Sequence, residues 1–272
     1  FSSYEDLQNK LNKLYKASEN EVKNENQEDK QSKDVQLLLK DLAYGYDKVL
    51  LRDINLSIKK GNKTLIVGTS GCGKSTLFYV LMRLLYPLKG NIFIQGKNYD
   101  DLAEKSIREH FAVAFQEHHI FNLSIRDNFK MLYEDITDEE IYKSLENVYL
   151  LDFVKQVGLD YIVGNDGNKL SGGQKHRLQL AICLAKQKDI ILLDEPTAGL
   201  DIKTTNNLCS QLMEKYQKQT MIVTSHDISL LRFFDDIIIC GEEKIIEQGN
   251  IKKLLLREDS YLNKLIRYKN FI

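Results

Sequence analysis

The stretch Lys63-Thr-Leu-Ile-Val-Gly-Thr-Ser-Gly-Cys-Gly-Lys-Ser-Thr76 decides how the rest of the chain is read. Its first six residues form a short apolar run ending at Gly68, as a buried strand does, and a helical stretch is expected from Lys74 to Leu85. Between them Gly68, Thr69, Ser70, Gly71, Cys72, Gly73, Lys74, Ser75 and Thr76 fit the spacing GxxxxGK[ST], a phosphate loop in the strand–loop–helix setting that the motif requires. The glycines let backbone N–H groups curl around an anion, and the helix N-terminus adds a favourable dipole. Lys74 supplies a point charge to the β- and γ-phosphates, and Ser75 offers an oxygen to Mg2+.

Working outward, 35–42, 49–58, 91–96 and 111–115 read as strands, and 124–157 is helical by period and propensity. The second half alternates: helix 171–187, strand 190–194, helix 202–217, then strands 220–225, 236–240 and 244–249, with helices 250–256 and 260–268 at the end. The expected fold is therefore an α/β phosphate-loop core of mixed sheet and flanking helices, with an antiparallel β part and an inserted α-helical subdomain at about 117–178. Residues 1–34 stand apart. Leu7, Leu11, Leu14 and Tyr15 fall at helical spacing, and the polar run Glu21-Val-Lys-Asn-Glu-Asn-Gln-Glu-Asp-Lys-Gln-Ser-Lys-Asp34 reads as a solvated linker. The body of the domain is then 35–272.

Composition excludes several classes. The 272 residues are 43% hydrophobic and 28% charged, ample for a core and unlike a disordered chain. Lys plus Arg number 38 against 39 Asp plus Glu, with no basic block, which argues against a nucleic-acid partner held by bulk charge. No run approaches the ~18 apolar residues of a spanning helix. The four cysteines, Cys72, Cys183, Cys209 and Cys240, include no CxxC pair and read as reduced thiols. The first residue is Phe1, so the chain is expected to be a piece of a longer one.

Two further signals accompany the loop. Ile190-Ile-Leu-Leu-Asp-Glu195 is an apolar strand ending in two carboxylates, which places Asp194 to serve Mg2+ and Glu195 to serve an attacking water. Leu170-Ser-Gly-Gly-Gln174 leads straight into a helix, with Ser171 as N-cap and Gly172 and Gly173 allowing close approach, so a second helix N-terminus with bare amides is expected.

Together these motifs resemble the nucleotide-binding domain of an ABC (ATP-binding cassette) transporter, over residues 35 to about 256. The resemblance implies roles for further residues. Gln116 matches the glutamine that touches Mg2+ and faces the membrane domain, His226 the histidine at the γ-phosphate, and Asp201 in Ala198-Gly-Leu-Asp201 the loop crossing the dimer interface. Tyr46 matches the aromatic ring that stacks on adenine, with Tyr44 as the competing candidate and the better packed of the two. By the same resemblance two copies, identical or related, pack head to tail around ATP. Each nucleotide lies between Lys74 of one copy and Ser171, Gly172, Gly173 and Gln174 of the other, with Glu195 as general base or water-positioner and His226 orienting it.

Cys72 stands where the family often has Ser, and its thiol is expected to ionise readily beside Lys74. His176 reads as a helix-surface residue, and His118 and His119 as solvated loop residues. His119-Ile-Phe-Asn-Leu-Ser-Ile-Arg-Asp-Asn128 and Ile162-Val-Gly-Asn-Asp-Gly167 resemble exporter sequences, and the N-terminal helix resembles the end of a last transmembrane helix. The expectation is an exporter motor on the cytoplasmic face of a membrane, its transmembrane domain in the same full-length chain. Ala198-Gly-Leu-Asp201 is commoner in uptake and energy-coupling ATPases, which stay open as an alternative. A soluble ABC ATPase acting on ribosomes or DNA and a phosphate-loop kinase or GTPase are further alternatives. The cargo is not legible in this domain.

Overall fold

The structure, a computed structural model, describes residues 34–116 and 120–268. The expected helix bearing Leu7, Leu11, Leu14 and Tyr15, the linker up to residue 33, and the pair His118 and His119 lie outside the described residues. The chain divides into two compact units, one comprising the residues up to Arg108 and from Ile222 on, the other Glu109–Met221.

The first unit opens with β1 (Val35–Gly45) and β2 (Val49–Lys59), an antiparallel pair in which Leu39 faces Leu56 and Tyr44 faces Leu51. Alternation sets the two faces of β2: Ile54, Leu56 and Ile58 are buried, whereas Asp53, Asn55 and Ser57 are exposed. β3 (Lys63–Gly68) is a buried run that leads through the phosphate loop into α1 (Lys74–Leu81). β4 (Lys89–Ile94) adds antiparallel to β1 and β5 (Lys97–Asn98) to β4, giving the order β2-β1-β4-β5. β4 stops short of the expected residue 96 because Gln95 and Gly96 both turn left-handed. α2 (Glu104–Glu109), too short to show a period, completes this leg.

α1 is also shorter than the expected 74–85. Arg83 adopts a left-handed φ of 54°, and the N–H groups of Leu84 and Leu85 fold back onto the Tyr79 carbonyl at 2.8 and 3.1 Å. Arg83 pins this turn, its guanidinium 4.3 Å from the Tyr86 ring centre and 2.5 Å from Asp100 Oδ1.

In the second unit β6 (Phe111–Ala114) is paired in parallel with a later strand across a helical region. That region holds α3 (Ile125–Lys130), α4 (Asp138–Glu146), α5 (Leu151–Val157) and α6 (Gly172–Leu184). Their starts are written in the sequence: Ser124 caps α3, and Thr137 with Glu140 forms a capping box on α4. α4 is fastened to α6 by Ser144 Oγ, which donates to the Ala181 carbonyl at 2.5 Å. β7 (Ile190–Asp194) is the partner of β6, Phe111 opposite Ile190, and is buried throughout, as its unbroken apolar run anticipates. α7 (Ile202–Lys215) follows.

β8 (Thr220–Ser225) carries the chain back into the first unit. There β9 (Asp236–Cys240) lies parallel to β3 with Cys240 opposite Gly68, and β10 (Ile245–Asn250) runs antiparallel to β9, in the order β10-β9-β3-β8. The register of β3 against β9 is pinned at its start, where Asn62 Nδ2 donates to Asp236 Oδ2 at 2.6 Å and the Lys63 N–H to Asp235 Oδ2 at 2.9 Å. Leu65, Ile66 and Ile237 are fully buried here, each contributing about 2 kcal/mol of apolar burial. α8 (Ile251–Leu255) and α9 (Tyr261–Tyr268) end the described chain; the Leu262 N–H donates to Glu247 Oε2 at 2.8 Å. The fold is the α/β architecture with an antiparallel β part that the sequence predicts. No described helix is long and apolar enough to cross a membrane.

Candidate functional site

The phosphate loop is built on β3 and on strand β1 beneath it. Gly73 takes φ 97°, which favours glycine, and a Cβ there would stand 3.2 Å from Leu50 Cβ and press on it. It is also the N-cap of α1, and no side chain caps that helix, which leaves its first amides directed at the loop. Lys74 is only 6% exposed and bends back over the loop, its Nζ donating to the carbonyls of Gly68 (2.9 Å) and Thr69 (3.1 Å). Thr69, Ser70 and Gly71 are exposed, Ser75 is half-buried, and Thr76 is buried.

The two candidate tyrosines separate cleanly. Tyr44 is fully buried, and its hydroxyl donates to the Gly73 carbonyl at 3.0 Å; burial raises its phenol well above the ordinary range. It buttresses the loop. Tyr46 lies in the turn between β1 and β2 and is 61% exposed, as a ring open to a ligand has to be.

The thiol of Cys72 is held down to about 6, as expected in direction, but by a different first cause. The Cys240 thiol donates a hydrogen bond to it, burial opposes, and the Lys74 ammonium acts in the same sense as the hydrogen bond. The Cys240 thiol is raised correspondingly.

The glycine turn of the second unit has Ser171 as its N-cap, as expected, and adds a return bond from Gln174. Ser171 Oγ accepts from the Gln174 N–H at 3.2 Å, and Gln174 Oε1 accepts from the Ser171 N–H at 2.9 Å, a complete capping box on α6. The spacing Ser-x-x-Gln carries that signal in the sequence. The amides of Gly172 and Gly173, in the first turn, have no carbonyl to reach within the helix. Beside them is an open cavity of about 530 Å³ lined by Gln116, Gly172, Gly173, His176, Ala198 and Gly199, among others. His176 is half-buried here rather than at the surface, because its Nε2–H donates to the Pro196 carbonyl; burial lowers its imidazole below the usual value. Lys175 Nζ meets Asp166 Oδ2 at 2.6 Å, tying the 162–167 loop to the start of α6, a pair that sequence spacing does not reveal.

The carboxylates end β7 as the sequence predicts. Asp194 is buried, and Glu195 is half-buried with a left-handed φ of 50°, a strain of roughly 1 kcal/mol or more of the kind that collects at functional turns. Asp201 caps α7, accepting from the Thr204 N–H at 3.0 Å and from Thr204 Oγ1 at 2.5 Å; these bonds hold its carboxyl below the ordinary range. His226 is exposed just beyond β8. Tyr46, the phosphate loop and His226 thus belong to the first unit. Gln116, Ser171, Gly172, Gly173, Gln174, Asp194, Glu195 and Asp201 belong to the second.

Comparison with known proteins gives a consistent picture. The family model described as ABC transporter matches residues 51–198. The chain is 34% identical over 206 residues to the beta-(1-->2)glucan export ATP-binding/permease protein NdvA of Agrobacterium vitis, covering 75% of this chain and 35% of that protein. It is 34% identical over 230 residues to the glutathione/L-cysteine transport system ATP-binding/permease protein CydC of Escherichia coli K12, covering 84% of this chain and 40% of that protein. Among solved structures, a bacterial Atm1-family ABC exporter with ATP bound aligns with a TM-score of 0.81 at 28% identity, over 88% of this chain and 42% of that one. The chain therefore spans well under half the length of these relatives.

Proposed function

Because the chain belongs to the ABC transporter family, we propose that it is the ATP-binding and ATP-hydrolysing motor domain of an ABC exporter. The observation that carries this reading is the uncapped N-terminus of α1, with buried Lys74 resting on loop carbonyls that phosphate oxygens would replace. Backbone N–H groups from Gly71 to Ser75 cradle the phosphates, with Lys74 on the outer two, and Tyr46 offers its ring to adenine. The Ser75 hydroxyl, the Asp194 carboxylate and the Gln116 amide are the oxygen donors that would hold Mg2+ in this reading, and the ion would supply charge neutralisation at the phosphate oxygens.

Glu195 takes the proton of the attacking water or positions that water, and His226 holds the γ-phosphate end. A second copy, identical or related, supplies Ser171, Gly172, Gly173 and Gln174, with Asp201 at the interface between the copies. The transmembrane domain belongs to the same full-length chain, as the names of the ATP-binding/permease relatives suggest, and the motor works on the cytoplasmic face. Those two relatives are named for different cargoes at the same identity, so similarity to them does not name a cargo for this chain.

Steady-state ATP hydrolysis tests the assignment. Glu195→Gln is expected to lower turnover about a hundredfold or more, as loss of a general base does. Turnover equal to the parent would remove Glu195 from its role.

A further inference from the structure

One cysteine in the phosphate loop and one beneath it carry thiols that nucleotide binding does not use. Gly68, the last residue of β3, is the register partner of Cys240, the last residue of β9. A Cβ built on Gly68 would stand 2.7 Å from Cys72 Sγ, 3.0 Å from Cys240 Cβ and 2.8 Å from the Cys240 carbonyl oxygen. The Cys72 thiol therefore folds back into the space that glycine leaves open, directly over Cys240, although 168 residues separate the two in sequence. Both are free, with Cys72 9% exposed and Cys240 4%. The two thiols act on one another, Cys240 lowering the Cys72 thiol and Cys72 raising that of Cys240. Cys183 and Cys209 belong to the other unit.

We propose that Cys72 and Cys240 are a redox pair, closed by hydrogen peroxide into an intrachain disulfide that tethers the phosphate loop to β9 and blocks nucleotide binding. Cys72 sulfur attacks the peroxide; an S–O bond forms, the O–O bond breaks, and the thiol proton leaves with hydroxide as water, giving a sulfenic acid. Cys240 sulfur then attacks Cys72 sulfur; the S–S bond forms, the S–O bond breaks, and the Cys240 proton leaves with the oxygen as a second water. The two thiols lose two electrons together and the peroxide gains them. Exchange with a dithiol reverses the step. The loop from Thr69 to Gly73 has to keep its amides pointing inward around an anion, and a bond from Cys72 within it to β9 fixes it against that adjustment.

The inhibitory half rests on the nucleotide reading above, whereas the disulfide does not. The full chain, reduced and then treated with hydrogen peroxide, is mapped by peptide mass spectrometry without reduction, and its ATP affinity is measured before, after, and again after dithiothreitol. The expected result is a linked Cys72–Cys240 peptide, ATP affinity lowered by about tenfold or more, and full recovery on reduction. Cys240→Ala is expected to bind ATP like the parent. Under peroxide it forms no linked peptide and carries Cys72 on to sulfinic acid, which dithiothreitol does not reverse. If Cys240→Ala does not fold, the parent's linked peptide and its reversibility decide the matter.

Peroxide-treated protein without the linked peptide overturns the proposal. A linked peptide with unchanged ATP affinity overturns its inhibitory half and leaves the nucleotide reading standing. Reduced protein that binds no ATP overturns the nucleotide reading and the inhibition with it, while the linked peptide still judges the redox pair.

Discussion

Two helices in this protein begin at glycine-rich turns, and they begin differently. α1 starts at left-handed Gly73 without any side-chain cap, with a buried lysine for its first residue. α6 starts at Ser171 with a complete capping box, Ser171 and Gln174 satisfying one another. The first unit therefore holds helix amides and a cation ready for an anion within a single chain. The second unit closes its own turn, and an anion arriving there meets only the Gly172 and Gly173 amides unless the box opens. Binding should start at α1, and α6 should act when another copy brings the phosphate to it.

Substitutions at the two turns should therefore fail differently. Lys74→Ala removes the buried charge and is expected to weaken ATP binding about a hundredfold or more in an equilibrium titration. Undiminished affinity would mean that the α1 loop is not the primary site. Ser171→Ala should leave ATP affinity of the isolated chain within about twofold, yet lower turnover about tenfold and destabilise the second unit by about 1 kcal/mol through loss of the cap. If it weakens binding by the single chain as much as Lys74→Ala does, the division of labour is wrong. Tyr44→Phe takes the donor from the Gly73 carbonyl and should cost about 1 kcal/mol in denaturant unfolding, with a few-fold loss of ATP affinity.

The smallest effect concerns the second unit alone. The Lys186 ammonium and the Thr137 N–H hold the Glu140 carboxyl down to about 2. A depressed carboxylate stabilises the fold above its unfolded value of about 4.3, and that contribution is lost as pH falls toward 2. The Glu140 side chain is 39% exposed and screened by solvent, so Glu140→Gln should only flatten the acid limb of helix unfolding slightly between those values. A steeper acid limb in the variant would contradict the sign.

The sequence shows most clearly what is continuous along the chain. β3, β7, β8 and β9 fall where their apolar runs place them, because a strand buried on both faces needs no alternation to be seen. The α1 terminus is missed because Arg83, not a glycine or proline, makes the left-handed turn. At the site, Lys74, Asp194 and Glu195 could be named from spacing alone, and so could the N-cap at Ser171, although the return bond from Gln174 goes unread. What spacing does not show is register. That Cys240 lies opposite Gly68, that Tyr44 reaches the Gly73 carbonyl, and that His176 reaches Pro196 all depend on pairings between distant stretches. Those contacts surround the motif residues without belonging to any motif.

The central claim is that one chain binds ATP and two chains share it. The most direct test is the solution mass of the Glu195→Gln protein by sedimentation, with ATP and Mg2+ present and then absent. Twice the chain mass with ATP, returning to the single-chain mass without it and abolished by Ser171→Ala, is the predicted result. A single-chain mass with ATP demonstrably bound would contradict the account.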